Sequence, residues 1–230
     1  MRKLLRPFVV LLLLATAGPA AAAEATFVTP DRFDLTKLLP PAPAPNSEQQ
    51  KRDLADVLAV QKARTEVQSQ RALADATAGT FGFADVLGSN FNAERLPAVA
   101  ALFDKIRGDA VVAFSAGKEA WNRPRPFDAS AEVNPVGDRP SGSSYPSGAS
   151  TVGYLTAIVL ASMVPEKAAA LFARGREFGD DRIILGVHFP NDVEAGRLAA
   201  TALAAVLMQD VAFAKEFGEA KSELRRALRL

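Results

Sequence analysis

Residues 147–163 are apolar or small nearly all round a helical wheel, so a helix there has no face fit for water. Such a helix is stable only when buried, and the fold has to surround it. The other long apolar patterns share its period, near 3.6. Ser47 is placed to cap a helix running to about Lys62, and 66–78 reads as a second. From about Asn92 to Ala120, Val99, Leu102, Phe103, Ile106, Ala110, Val111 and Phe114 form one stripe, with Lys118 near its end. Helices are also predicted over 166–178, over the Ala-rich 191–208, which suits close packing, and over the charged, amphipathic tail 211–230. No alternating run of useful length occurs and no internal repeat, so the expected fold is all-α, a single-domain helical bundle.

Three stretches interrupt the helices. Leu38 to Asn46 is Pro-rich and is predicted to be extended. The glycines of 79–89 leave room for a short helix at most. Between Asn122 and Pro146, prolines at 124, 126, 135, 140 and 146 and glycines at 137 and 142 make a long irregular loop. A loop of that length beside charged residues suits a binding or lid segment.

The first 23 residues read as a secretory leader: Arg2, Lys3 and Arg6 precede an apolar run from Phe8 to Leu14, and Ala21, Ala22 and Ala23 offer a cleavage point. That run is too short to span a bilayer. The expected layout is a leader over 1–23, an extended segment over 24–46 and the working domain over 47–230. Without the leader's three cations, 24 basic residues face 26 acidic ones, a net charge of −2. This balance disfavours a nucleic-acid binder. The absence of cysteine excludes disulfides and thiolate metal sites, so export rests on the leader alone.

Chemistry concentrates in three clusters: Lys118-x6-Arg125-Pro126, then Pro146-Ser147-Gly148, then Asp181-Arg182-x5-His188-x3-Asp192. His188 is the one histidine of the chain. Taken singly, each residue has an ordinary reading: surface cations, a Ser N-cap after a proline turn, an acid near the third position of a helix opened by Pro190. Together they supply what phosphoryl transfer needs. Cations neutralise the phosphoryl oxygens, a helix N-terminus offers free amides, and an imidazole held by a carboxylate has one nitrogen free to attack.

In this order and spacing the clusters resemble the signature of the type 2 phosphatidic acid phosphatase superfamily, which also holds the vanadium haloperoxidases. The closer resemblance is to the bacterial class A non-specific acid phosphatases. It is carried by Leu38-Leu39-Pro40-Pro41, Arg125-Pro126-Phe127, Ser144-Tyr145-Pro146-Ser147-Gly148 and the C-terminal helices, nearly the whole mature chain. The resemblance implies a periplasmic phosphate monoester hydrolase with a helical fold and a two-step, metal-free mechanism using no other cofactor. His188 is then the nucleophile that forms a phosphohistidine and Asp192 its orienting partner. Lys118, Arg125, Ser147, the Gly148 amide and Arg182 are implied to bind phosphoryl oxygens. Arg123 falls outside the signature and has no role in it. Implied ligands are phosphate monoesters and inorganic phosphate or vanadate, with no nucleic acid and, after leader removal, no membrane; self-association is common in such proteins.

Three positions depart from the pattern. Asp181 stands where a Ser is usual, outside the expected direct contacts. The cysteines of many class A enzymes are absent, so the loop over 128–144 has to be held in another way. Ala149 occupies the place of the His that protonates the leaving oxygen, and a methyl group donates no proton. Drift or a deliberate substitution accounts for it. The expected function is an acid phosphatase impaired at its general acid. The alternatives are a phosphate-ester binding protein without turnover and, less favoured, a haloperoxidase, which needs the same missing His and a longer chain.

Overall fold

The computed structural model describes residues 25–230, and the expected leader lies outside the described residues. Among the described residues ten α-helices run in the order α1 (Leu35–Leu38), α2 (Glu48–Ala63), α3 (Glu66–Ala78), α4 (Ala84–Leu87), α5 (Pro97–Trp121), α6 (Pro126–Ala129), α7 (Gly148–Met163), α8 (Ala168–Ile184), α9 (Pro190–Leu207) and α10 (Val211–Leu228). No strand occurs among the described residues, and the fold is all-α.

Local chemistry sets most helix ends. Ser47 accepts the Gln50 amide at 3.1 Å, Thr65 and Gln68 form a reciprocal capping box, and Asp210 accepts the Phe213 amide at 3.0 Å. Proline opens α5 and α9. The helix expected from about Asn92 begins five residues later: 92–96 form a turn, and Pro97, which needs no amide partner, opens α5. The predicted helix over 166–178 instead runs to Ile184, which places Arg182 in the last turn of α8.

The centre is α7, which packs against α8, α9, α5 and α10. Leu155, Val159, Leu160 and Met163 on it are inaccessible to solvent. Small residues let its neighbours close in. A Cβ at Gly175 of α8 would lie 2.5 Å from Ala157 Cβ, and one at Gly196 of α9 would lie 2.6 Å from the Ser147 carbonyl oxygen. Close packing thus sets the N-terminus of α7 beside α9.

The segment expected to be extended over 24–46 holds the one-turn helix α1 and lies on the bundle. Phe27, Val28, Phe33, Leu35 and Leu39 join the same core as α5 and α7. Asp109 of α5 accepts the Thr26 and Phe27 amides, and Tyr145 donates to the Pro40 carbonyl at 2.8 Å.

The loop over 128–144 is held by side chains that reach across it. Arg64 donates to the Asn134 carbonyl at 2.8 Å, Gln61 brackets Glu132 and Asn134, and the Val136 amide bonds the Leu185 carbonyl at 3.0 Å. Val133 is buried with Val57 and Phe189.

Candidate active site

Four elements converge at the N-terminus of α7. Lys118 comes from the last turn of α5 and Arg125 from the loop after it. Arg182 closes α8, and His188 and Asp192 bracket the start of α9. The eight positions singled out in the sequence, including Ala149 on the first turn of α7, lie at this junction.

His188 is buried between unlike surroundings. Its Nδ1 lies 3.4 Å from Asp192 Oδ2 and 3.3 Å from Ser144 Oγ. Its Nε2 lies 3.2 Å from Arg125 Nη1, a group that only donates. Nε2 is therefore the acceptor nitrogen and Nδ1 carries the proton. Asp192 also accepts the Phe189 amide at 2.8 Å, so it caps α9 and orients the ring at once.

The cations are crowded. Burial, then the neighbouring Arg125, pushes the Lys118 ammonium down to about 8. Burial also lowers Arg125, and burial and Arg125 together lower Arg182. Arg182 Nε is buried without a hydrogen-bond partner. Arg125 donates to the carbonyls of Val187 at 2.9 Å and Gly142 at 3.1 Å, and Lys118 to that of Ser143. Neutral carbonyls hold these groups in place without cancelling their charge.

For His188, burial dominates: it lowers the imidazole to about 4, with Arg125 and Lys118 acting in the same direction and Asp192 against them. Burial alone would raise the Asp192 carboxyl, but His188, Arg123 and Ser144 outweigh it and hold the group below the usual carboxylate range. The pair therefore rests as neutral imidazole and carboxylate.

Ser147 is buried, and its Oγ caps α7 on the Ser150 amide at 3.4 Å. A Cβ at Gly148 would meet the Phe114 ring at 2.8 to 3.1 Å, so only glycine lets the helix start approach that ring. Ala149 is half-buried. Asp181 is buried and pairs at 2.8 Å with the half-exposed Arg71. Burial, then a hydrogen bond shared with Asp75, raises its carboxyl to about 7.

Three residues without a sequence assignment take part. Ser144 donates to Asp192 Oδ2 at 2.5 Å, and Arg123 binds Asp192 Oδ1 at 2.6 Å and Asp53 Oδ2 of α2 at 2.6 Å. The signal for Arg123 lies in Arg123-Pro124-Arg125-Pro126. A residue before proline is driven to extended backbone, where positions i and i+2 share a face, so two such arginines address one site. Asn122, left-handed at φ 41°, ends α5 and starts this stretch. Nothing local marks Asp53.

Among the described residues no group of three or more His, Cys, Asp or Glu side chains is disposed to hold a metal ion. No single described helix is long and apolar enough to cross a membrane.

A helical bundle that gathers cations around one buried histidine is the arrangement of a known class. Residues 98–216, just over half of the chain and spanning Lys118 through Asp192, match the PAP2 superfamily, and the chain belongs to it. Bacterial acid phosphatases are among the proteins it is similar to. A non-specific acid phosphatase of Providencia stuartii is 29% identical over 98% of this chain and 99% of its own length. An acid phosphatase of Zymomonas mobilis subsp. mobilis is 34% identical over 63% of this chain, and a non-specific acid phosphatase of Salmonella typhimurium 32% identical over 62%. Against these two the chain spans little more than half of the relative's length, 56% and 59%.

Proposed function

We propose that the protein is an exported acid phosphatase that hydrolyses phosphate monoesters through a phosphohistidine on His188, slowed by the loss of its general acid at Ala149. One observation carries the reading: the Nε2 edge of the chain's one histidine faces Arg125 at 3.2 Å, with Lys118 also acting on the ring and Arg182 neighbouring Arg125, while the carboxylate of Asp192 sits on the Nδ1 side. Such a place favours a phosphoryl dianion, and more so the charge that spreads over its oxygens in the transition state.

In the first step His188 Nε2 forms a bond to phosphorus as the bond to the ester oxygen breaks. Asp192 and Ser144 stabilise the positive charge that appears on the ring through Nδ1–H. Lys118, Arg125 and Arg182, with the amides at the start of α7, hold the three remaining oxygens. The leaving alkoxide takes its proton from solvent, because Ala149 has none to give. In the second step water attacks the phosphohistidine and regenerates neutral His188. An imidazole that stays neutral down to about pH 4 remains a nucleophile where a free one is protonated, which suits an acid phosphatase.

Ala149 favours one other reading, a binding protein that captures phosphate esters without turnover. A nitrophenyl ester, whose leaving group departs unprotonated, separates the two in rapid-quench measurements. The enzyme reading expects a burst of nitrophenol matched by acid-labile phosphate on the protein, absent from His188→Ala. Tight binding without a burst supports the binding protein.

A further inference from the structure

Arg123 differs from the other cations of the site. Its exposure is 3%, and each nitrogen of its guanidinium group has a partner. Nη1 meets Asp192, Nη2 meets Asp53 and Gln50 Oε1 at 2.6 Å each, Nε meets Gln50 at 3.2 Å, and the group stacks 4.2 Å from the Phe189 ring centroid. Asp53 is braced in turn by Asn191 at 2.6 Å and Gln49 at 3.2 Å. One guanidinium thus joins a carboxylate of α2 to the carboxylate that faces the nucleophile.

The division of labour on Asp192 is sharp. Oδ1 takes Arg123, while Oδ2 takes Ser144 and the Phe189 amide and faces His188 Nδ1. We infer that Arg123 is a positioning residue, which, clamped by Asp53 and Gln50, aims Asp192 Oδ2 at His188 Nδ1 and offsets the carboxylate charge so that Nε2 stays bare. A buried aspartate with no other counter-ion would draw a proton onto the imidazole to form an ion pair. The groups that face the ring are Asp192 from α9, Lys118 from α5, and Arg125 and Ser144 from the loop. Arg123 acts through the first of these. Lysine cannot replace it, since a single ammonium does not span Asp192, Asp53 and Gln50 in one plane.

The inference shares the proposed reading only in the use made of Nε2, and its test is independent of turnover. Because His188 is the sole histidine, long-range proton–nitrogen correlation on the full-length, uniformly labelled protein shows one imidazole and needs no assignment. The native ring should carry its proton on Nδ1 and titrate near pH 4. In Arg123→Met the titration should move up by about two pH units, toward the free-imidazole range. Phosphohistidine formation from nitrophenyl phosphate at pH 5 should fall by about tenfold or more, while vanadate affinity at pH 7, where both rings are neutral, stays within about threefold.

Arg123→Lys keeps the charge, loses the fork, and should shift the titration by less; it is the variant to read if the methionine variant does not fold. A cavity of about 340 Å³ lined by Gln50, Leu54, Trp121 and Arg123 opens beside the guanidinium. Millimolar methylguanidinium should therefore return the Arg123→Ala titration toward the native position. An imidazole with unchanged tautomer and titration in the variants overturns the inference, whatever happens to activity. A native protein that forms no phosphohistidine, yet whose His188 titration moves in the variants, overturns the proposed function and leaves the positioning role standing.

Discussion

Placing an imidazole at position 149 should separate the two halves of the proposed catalytic cycle. Ala149 sits half-buried on the first turn of α7, two residues after the N-cap Ser147. In the proposed mechanism Lys118, Arg125 and Arg182 supply the charge and His188 the nucleophile, so the substitution adds only a proton donor. Positioned acid catalysis is worth about 10²- to 10⁴-fold, roughly 3 to 5 kcal/mol of barrier. The positive surroundings and the helix N-terminus favour its neutral form, so the donor should work best at acid pH. For an alkyl phosphate, kcat/KM reports departure of the alkoxide and should rise by the full factor. For a nitrophenyl ester the leaving group needs no proton, and its burst rate should change by less than about tenfold. Slow steady-state turnover of the nitrophenyl ester should still accelerate, because the imidazole also activates the water that cleaves the phosphohistidine. Rapid-quench kinetics on both proteins with both esters, repeated with His188→Ala, read all of these quantities. Equal acceleration of the two first steps would refute the assignment of position 149 as the acid slot, and labelling that persists without His188 would refute the nucleophile.

With the native chain, kcat/KM for a nitrophenyl ester should rise as pH passes about 4, where His188 loses its proton, and fall above about 8, where Lys118 loses its own; Lys118→Arg should push the alkaline limb upward. Arg125→Ala removes a charged donor and should weaken vanadate or phosphate binding about 10- to 100-fold by calorimetry, with equal affinity counting against the pocket. Asp181 has a folded value near 7, above its ordinary 3.8, so the fold binds the extra proton between these values. Its share of stability is full below about pH 4 and is lost as pH rises through 7. Asp181→Asn, which mimics the protonated form, should raise the melting temperature at pH 8 relative to pH 5, by on the order of 1 kcal/mol of stability. Gly196→Ala sets a methyl group 2.6 Å from the Ser147 carbonyl oxygen and should cost about 1 to 3 kcal/mol in thermal unfolding, with weaker oxyanion binding as the start of α7 shifts.

The spacing of apolar residues fixed the helices that matter because a helix encodes its own period within about a dozen positions. That is why 66–78 was legible to the residue, while the end of α8 was not: Gly179, Asp180 and Asp181 interrupt its apolar stripe, and only burial against α3 and α7 carries it on to Ile184. The signature residues were legible for a related reason. A phosphoryl group needs cations, free amides and a nucleophile, and few residue types provide them. Legibility ended where a role depends on a partner distant in sequence. Arg123 reads as one more cation until the fold brings Asp53, 70 positions away, against it. Ser144 reads as a loop serine until α9 arrives 48 residues later. The cation cluster's effect on His188 likewise depends on the low dielectric that burial creates, and no local pattern specifies burial. The sequence by itself determined which groups were present, with alanine and no titratable side chain at 149. Tertiary packing decided their charges, their tautomer and which of two neighbouring arginines meets the His188 ring and which meets Asp192.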